Sequence, residues 1–288
     1  MADFSFIKIP NSDTWIINAP KRNGRPHLKK KGCVFCPGNE EETDVTVYEI
    51  KDTKDKWLVR VKKNKYPFSP IHDVVILTPE HIKSLTQMPV SQFKLSLETF
   101  VNRYNEYKKK GSVCIFGNSG HDAGESIGHP HAQIAVIPPD KEVNSPQLEK
   151  DIKYWGEYMS IGEFQILTPP YSQWPDEIWI VPIERNSTFG EISYKEIESL
   201  AFVWKRLLEI FEIRHNKKFP HNFYIHPYKD WYMRIIPRDK ILGGFEMETG
   251  IYVNTLDPRE TMKFIKENFV ESEEKKIKRQ RAKYRKGV

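Results

Sequence analysis

The sequence predicts an α+β protein of two related halves, with mainly antiparallel strands and packed helices, and three observations carry that reading. Short β-branched and aromatic runs bounded by turn residues alternate with three amphipathic helical patterns. The order of these pieces occurs twice along the chain. The 288 residues, 39% apolar and 29% charged, can bury a sizeable core without disulfides, and no stretch approaches the ~18 consecutive apolar residues that a membrane helix needs.

In chain order, strands are expected at Trp57–Val61 and Asp73–Leu77. Ser91 opens the first helix, which carries Phe93, Leu97, Phe100, Val101, Tyr104 and Tyr107 at helical spacing, and Gly111 stops it. Strands at Val113–Gly117, Ala132–Ile137 and Ile178–Pro182 follow. The second helix starts at the capping box Ser193-Tyr-Lys-Glu196 and buries Ile197, Leu200, Trp204, Leu208 and Phe211. Strands are then expected at Asn222–His226, Trp231–Ile236 and Ile251–Asn254. Asp257-Pro258-Arg-Glu260 starts the third helix, with Pro at the first helical position and Met262, Ile265 and Phe269 on its apolar side. Twice a strand leads through a helix to two further strands. The expected halves are residues 1–145 and 146–270, followed by a tail, 271–288.

The net charge of +6 belongs to that tail. Residues Lys275 to Val288 hold eight of the 45 basic residues and no acidic one, which leaves 37 basic against 39 acidic residues elsewhere. A basic run can bind nucleic acid through phosphates. With Tyr284 as its only aromatic residue and no nucleic-acid module before it, a solvated extension is the expectation, and a nucleic-acid partner is not. The start of the chain lacks a basic region followed by an apolar run, and only three cysteines occur, so the expected location is the cytoplasm.

Chemistry concentrates in Phe116-Gly-Asn-Ser-Gly-His-Asp-Ala-Gly-Glu-Ser-Ile-Gly-His-Pro-His-Ala-Gln133, a glycine-rich loop running into a strand. Glycines such as Gly124 let backbone N–H groups approach an anion, and Asn118 and Ser126 add donors. Alternate side chains of a strand share a face, so His131 and Gln133 point the same way. A neutral imidazole with one ring nitrogen held as a donor is a nucleophile towards phosphorus, and an amide can stabilise the developing charge. The plain alternative is an ordinary strand with two surface histidines. Cys33-Val-Phe-Cys36 can clasp zinc if two more ligands join it, with His81 and His129 as candidates; reduced core cysteines or a redox pair are the alternatives. His27, His72, His121, His215 and His221 have no partner pattern and are expected in loops or on the surface.

Taken together, these segments resemble the galactose-1-phosphate uridylyltransferase branch of the histidine-triad superfamily, from about Trp15 to the third helix. Pro20-Lys-Arg22-Asn-Gly-Arg25-Pro resembles the family's phosphate-approaching arginine motif, and Cys33-Val-Phe-Cys-Pro-Gly-Asn39 its zinc clasp. The resemblance makes Cys33, Cys36, His81 and His129 ligands of one structural zinc, His131 the covalently uridylylated nucleophile and Gln133 the α-phosphate ligand. Arg22, Arg25, Asn118, Gly124 and Ser126 would contact nucleotide phosphates; Lys240 and Glu246, in Lys240-Ile-Leu-Gly-Gly-Phe-Glu-Met247, would contact the hexose. Better-studied bacterial members carry a second metal on a His-x-His pair after a tryptophan. Here that stretch reads Trp231-Tyr-Met-Arg234 and only His226 corresponds, which puts a second metal in doubt. Gly243–Asn254 also resembles ADP-glucose phosphorylase relatives, which share the histidine but pass AMP to phosphate.

The resemblance implies two tandem histidine-triad-like halves and ping-pong transfer from UDP-glucose to a hexose-1-phosphate through a uridylyl-histidine. An ADP-glucose phosphorylase using the same histidine is the alternative enzyme. A zinc-braced nucleotide- or RNA-binding protein without turnover is the alternative from another class. The implied partners are a nucleotide sugar, a hexose-1-phosphate and a second copy of the chain, with no membrane.

Overall fold

The computed structural model of the protein describes residues 4–24, 32–39, 45–148, 156–216 and 219–269; Arg25, His27 and the basic tail lie outside them. Strands β1 (Ser5–Lys8) and β2 (Trp15–Asn18) form a small hairpin. Then come β3 (Thr46–Lys51), β4 (Trp57–Lys63), β5 (Ile71–Ile76), α1 (Val90–Tyr107), β6 (Ser112–Ser119) and β7 (His131–Ile137). The second set is β8 (Glu157–Ile161), β9 (Phe164–Thr168), β10 (Ile178–Pro182), α2 (Tyr194–Arg214), β11 (His221–His226) and β12 (Tyr232–Pro237), followed by the short α3 (Gly244–Thr249) and α4 (Pro258–Phe269).

All ten strands from β3 to β12 join one antiparallel sheet in the order β3-β4-β5-β7-β6-β11-β12-β10-β9-β8. The sequence leads one to expect mainly antiparallel sheets within an α+β fold; the two strand sets instead share a single sheet, sealed by the β6–β11 pairing. Gly117 makes that seam possible, because a Cβ there would stand 2.1 Å from the Phe223 ring.

Pleating decides which residues face the core. Ala132, Ile134 and Val136 of β7 pack with Val113 and Ile115 of β6, Phe223 and Ile225 of β11, and the apolar stripes of α1 and α2. Phe93 of α1 meets Trp204 of α2 edge-on at 4.9 Å, and Trp204 meets Phe223 at 4.8 Å. His131 and Gln133 alternate with those core residues and therefore lie on the opposite face. The capping box forms as expected: Ser193 Oγ accepts from Glu196 N–H at 3.2 Å, and Glu196 Oε2 accepts from Ser193 N–H at 2.8 Å.

Three local expectations are corrected. The first helix begins at Val90 and ends at Tyr107, and a three-residue turn separates it from Gly111. Ile251–Asn254 forms no strand, because no neighbour offers it a ladder; Lys240 Nζ donates to Val253 O, and Asn254 Nδ2 donates to Ser172 O at 3.0 Å. His72 and His221 lie on strands and are only 4% and 3% exposed; His215, in the turn after α2 beside Asp176 and Asp239, and His121, on the surface, are placed as expected. Among the described residues no helix is long and apolar enough to cross a membrane.

Candidate active site

The centre is built at the start of β7. His131 is buried, and its Nδ1–H donates to the His129 carbonyl at 2.8 Å. In the neutral ring this leaves the lone pair on Nε2, the nitrogen farther from the backbone. The ring lines a cleft together with Asn118, Ser119, Glu125, His129 and Lys83. Two residues on, Gln133 Oε1 lies 3.0 Å from His72 Nε2 on β5 and 3.5 Å from Asn64 Nδ2. Phe68 packs against His72 at a tilt, with centroids 4.1 Å apart, and Arg22 covers Phe68 at 4.8 Å while its guanidinium donates to Tyr66 O at 2.5 Å. Arg22 therefore stands at the edge of the Gln133 cluster.

The loop from β6 to β7 supplies the opposite wall. A single 3-10 turn, His121–Ala123, ends at Gly124, whose φ of +83° is a left-handed conformation suited to glycine. Glu125 turns inward and accepts from Gly120 N–H at 2.9 Å; burial pushes its carboxyl above the usual range. Ser126 is half-buried in the same loop. Asn118 faces Asn222 across the β6–β11 seam, and Asn222 Nδ2 donates at 2.8 Å to both Asn118 Oδ1 and Ala123 O.

Behind His131 lies a compact donor cluster. Cys33 and Cys36 come from the loop before β3, His81 follows β5, and His129 precedes β7; their ligand atoms all lie within 4.8 Å of one another. His129 Nδ1 is 3.6 Å from Cys33 Sγ, 3.7 Å from Cys36 Sγ and 3.4 Å from His81 Nδ1, and Cys36 Sγ is 3.4 Å from His81 Nδ1. Zinc bond lengths to sulfur and imidazole, arranged tetrahedrally, put ligand atoms about 3.3–3.8 Å apart. The residues fit such an ion. His129 Nε2–H donates to Thr78 O at 2.8 Å, which leaves Nδ1 facing the cluster with its lone pair, the outer contact typical of a metal-bound imidazole. Burial holds His129 down at about 4, hence neutral. Burial first and Cys33 second push the Cys36 thiol up to about 11, so thiolates here need a cation to offset them. Phe35, between the two cysteines, packs against the His131 ring at 5.4 Å, so the cluster also buttresses that ring.

The remaining candidates lie apart from this cleft. Lys240 and Glu246 pair with each other at 2.7 Å, and neither lines the cleft beside His131. His226 stacks on Tyr232 at 4.9 Å, and Arg234 forms a buried ion pair with Glu177 at 2.7 Å. Sequence reasoning passes over His72, Asn64, Phe68 and Asn222. Starting β5 two residues earlier would have placed His72 on the face of Val74 and Ile76, beside Gln133. Asn222 had no local signal.

Residues 60–136 match the family profile described as galactose-1-phosphate uridyl transferase, N-terminal domain. The chain is similar to the ADP-glucose phosphorylase of Arabidopsis thaliana, with 25% identity over 322 aligned residues covering 90% of this chain and 92% of that protein. It is similar also to the galactose-1-phosphate uridylyltransferase of Thermotoga maritima, with 26% identity over 310 residues covering 91% and 98%. The crystal structure of the Arabidopsis thaliana ADP-glucose phosphorylase with bound ADP-glucose shares the fold, with a TM-score of 0.72 at 24% identity over 91% of this chain and 98% of that one. The matched N-terminal segment and the relatives aligned along nearly the whole chain make this protein similar to the galactose-1-phosphate uridylyltransferase family and support a nucleotidyltransferase-like enzyme, with a fold that the solved structure shares.

Proposed function

We propose that the protein moves a nucleoside monophosphate from a nucleotide sugar to a phosphate-bearing acceptor through a covalent nucleotidyl-His131, with UDP-glucose as donor and a hexose-1-phosphate as acceptor. The observation that carries this reading is the His131 tautomer set by the His129 carbonyl. Nε2 attacks the α-phosphorus, a P–N bond forms, the P–O bond to the β-phosphate breaks, and hexose-1-phosphate leaves with that electron pair. The ring keeps its Nδ1 proton and becomes cationic, and the carbonyl oxygen stabilises it. An acceptor phosphate oxygen then breaks the P–N bond and returns the ring to neutrality. No proton is transferred in either half, so no general base is required.

Gln133, Asn118 and Ser126 stabilise the phosphoryl oxygens, backbone amides around Gly124 add to them, and Arg22 and Arg25 serve the nucleotide phosphates. Cys33, Cys36, His81 and His129 hold one zinc, whose contribution is to brace the strand that presents His131. In this reading the first strand set with α1 is the half carrying the nucleophile, and the second set with α2 is its partner half. Lys240 and Glu246 meet the hexose only if a second copy completes the site. The apolar surface around them supports a homodimer: Ile241 is 89% and Met247 77% exposed, beside Phe245, Ile251 and Val253. Three free cysteines suit the cytoplasm, and cell fractionation that finds the protein only outside it would refute that placement.

A second reading, transfer of AMP from ADP-glucose to inorganic phosphate, is favoured by the alignment with the Arabidopsis phosphorylase along 90% of this chain. Isotope exchange separates the two. With no acceptor present, the enzyme should exchange labelled glucose-1-phosphate into UDP-glucose; exchange into ADP-glucose alone would select the second reading. Exchange into neither would exclude the ping-pong route.

A further inference from the structure

Both amides that face the proposed phosphate position have their oxygens engaged from behind by groups that can only donate. The direction of each bond follows from a backbone group that cannot change its role. At Gln133, the Phe68 N–H donates to His72 Nδ1 at 3.2 Å. A backbone N–H is always a donor, so Nδ1 of the neutral ring is bare and the proton sits on Nε2. That Nε2–H then donates to Gln133 Oε1 at 3.0 Å, and the Gln133 NH2 group takes the other side of the amide. At Asn118, the fixed partner is the Ala123 carbonyl, always an acceptor. It commits the Asn222 NH2 group at 2.8 Å, and the same group donates to Asn118 Oδ1 at 2.8 Å. Asn118 is left with its own NH2 on the opposite side.

We propose that His72 and Asn222 are positioning residues that lock Gln133 and Asn118 with their NH2 groups towards the transferring phosphate, turning two ambivalent amides into obligate donors. This inference rests on the reading of His131 as the nucleophile. An amide flipped by half a turn would present its oxygen to a phosphate oxygen, which replaces attraction by repulsion at the point where charge develops. The lock also gives the second strand set a part in the chemistry, because Asn222 reaches the first set's site across the β6–β11 seam. Tyr66 N–H donates to Asn64 Oδ1 at 2.9 Å, so the Asn64 NH2 group faces this pair, 3.2 Å from His72 Nε2 and 3.5 Å from Gln133 Oε1; with the proton on His72 Nε2, its acceptor there is Gln133 Oε1.

Three measurements test the proposal. Ring-nitrogen NMR of the wild-type protein should show His72 protonated on Nε2 and bare on Nδ1; the opposite tautomer overturns the lock whatever the enzyme does. In single-turnover reactions with UDP-glucose and ADP-glucose, His72→Phe should form adduct about 10- to 100-fold more slowly, part of the 10²–10³ typical of losing a transition-state donor. The KM should change by less than about threefold, the signature of a transition-state contact. His72→Gln, which returns an N–H near the position of Nε2, should recover most of that rate, whereas a packing role would be better served by Phe. Asn222→Leu provides the same test from the other strand set if His72→Phe does not fold. Wild-type rates in folded His72→Phe and Asn222→Leu would overturn the proposal. Failure of the wild type to form adduct would instead refute the His131 reading, and the tautomer measurement would still judge the lock.

Discussion

At His131 the proposed covalent chemistry depends on the place of one proton, and in the second strand set a single carboxylate has comparable structural weight. Asp176 is buried and accepts from Arg214 Nε at 2.8 Å and Thr261 Oγ1 at 2.8 Å, with His215 Nε2 at 3.1 Å. Burial by itself would raise its pKa, but the hydrogen bonds from His215, Arg214 and Thr261 outweigh that and hold the carboxyl below its usual range. A carboxyl depressed in the folded state contributes stability above its unfolded pKa of about 3.9, and the contribution disappears as pH falls through the folded value. Asp176→Asn should therefore cost about 2–4 kcal/mol at neutral pH. The gap between variant and wild type in urea titrations should close below about pH 4. A gap that persists unchanged at acid pH would contradict this account. Asp176 also has a φ of +57°, which asparagine tolerates, so the substitution tests the charge rather than the turn.

At the scale of elements, the Cys33, Cys36, His81 and His129 cluster ties the Cys33–Cys36 loop, which belongs to no strand, to the chain after β5 and the entrance to β7, the ends of two paired strands. Elemental analysis of carefully purified protein should find about one zinc per chain, and Cys36→Ser should lose it. The Tm should fall by roughly 5 °C or more, since about 1 kcal/mol corresponds to 2–4 °C in a chain of this size. Metal-free protein with an undiminished Tm would refute the brace. The elements most legible in the sequence were those whose signal is local. The capping box at Ser193 marked α2, and Pro258 marked α4. Strands β3, β8 and β9 and the β1–β2 hairpin were missed: β3 and β8 are the two edges of the large sheet, where mixed exposure blurs the apolar–polar alternation, and β9 is a short, mostly buried run with no alternation to read. Ile251–Asn254 shows the converse, a β-like composition without a neighbour to pair with.

Over the whole molecule, legibility follows the distance spanned by each contact. His131 and Gln133 stood out in the sequence through the His-x-His-x-Gln pattern, and Cys33 and Cys36 through their C-x-x-C spacing, with His81 and His129 added by the family resemblance; the structure brings the last four together. The geometry that orients the site's side chains was not readable there, since His72 meets Gln133 across 61 residues and Asn222 meets Asn118 across 104. The exposed apolar stretch between Ile241 and Val253 bears on assembly at this scale. Sedimentation equilibrium should give a dimer, and Met247→Glu should shift it towards monomer; a wild-type monomer at tens of micromolar would count against a composite site.

The covalent step itself is tested most directly by intact-mass analysis of the protein mixed with UDP-glucose or ADP-glucose and no acceptor. The account predicts one nucleotidyl adduct per chain with release of an equal amount of hexose-1-phosphate, abolished in His131→Ala. An unmodified mass with both sugars, or an adduct that survives in His131→Ala, would contradict it.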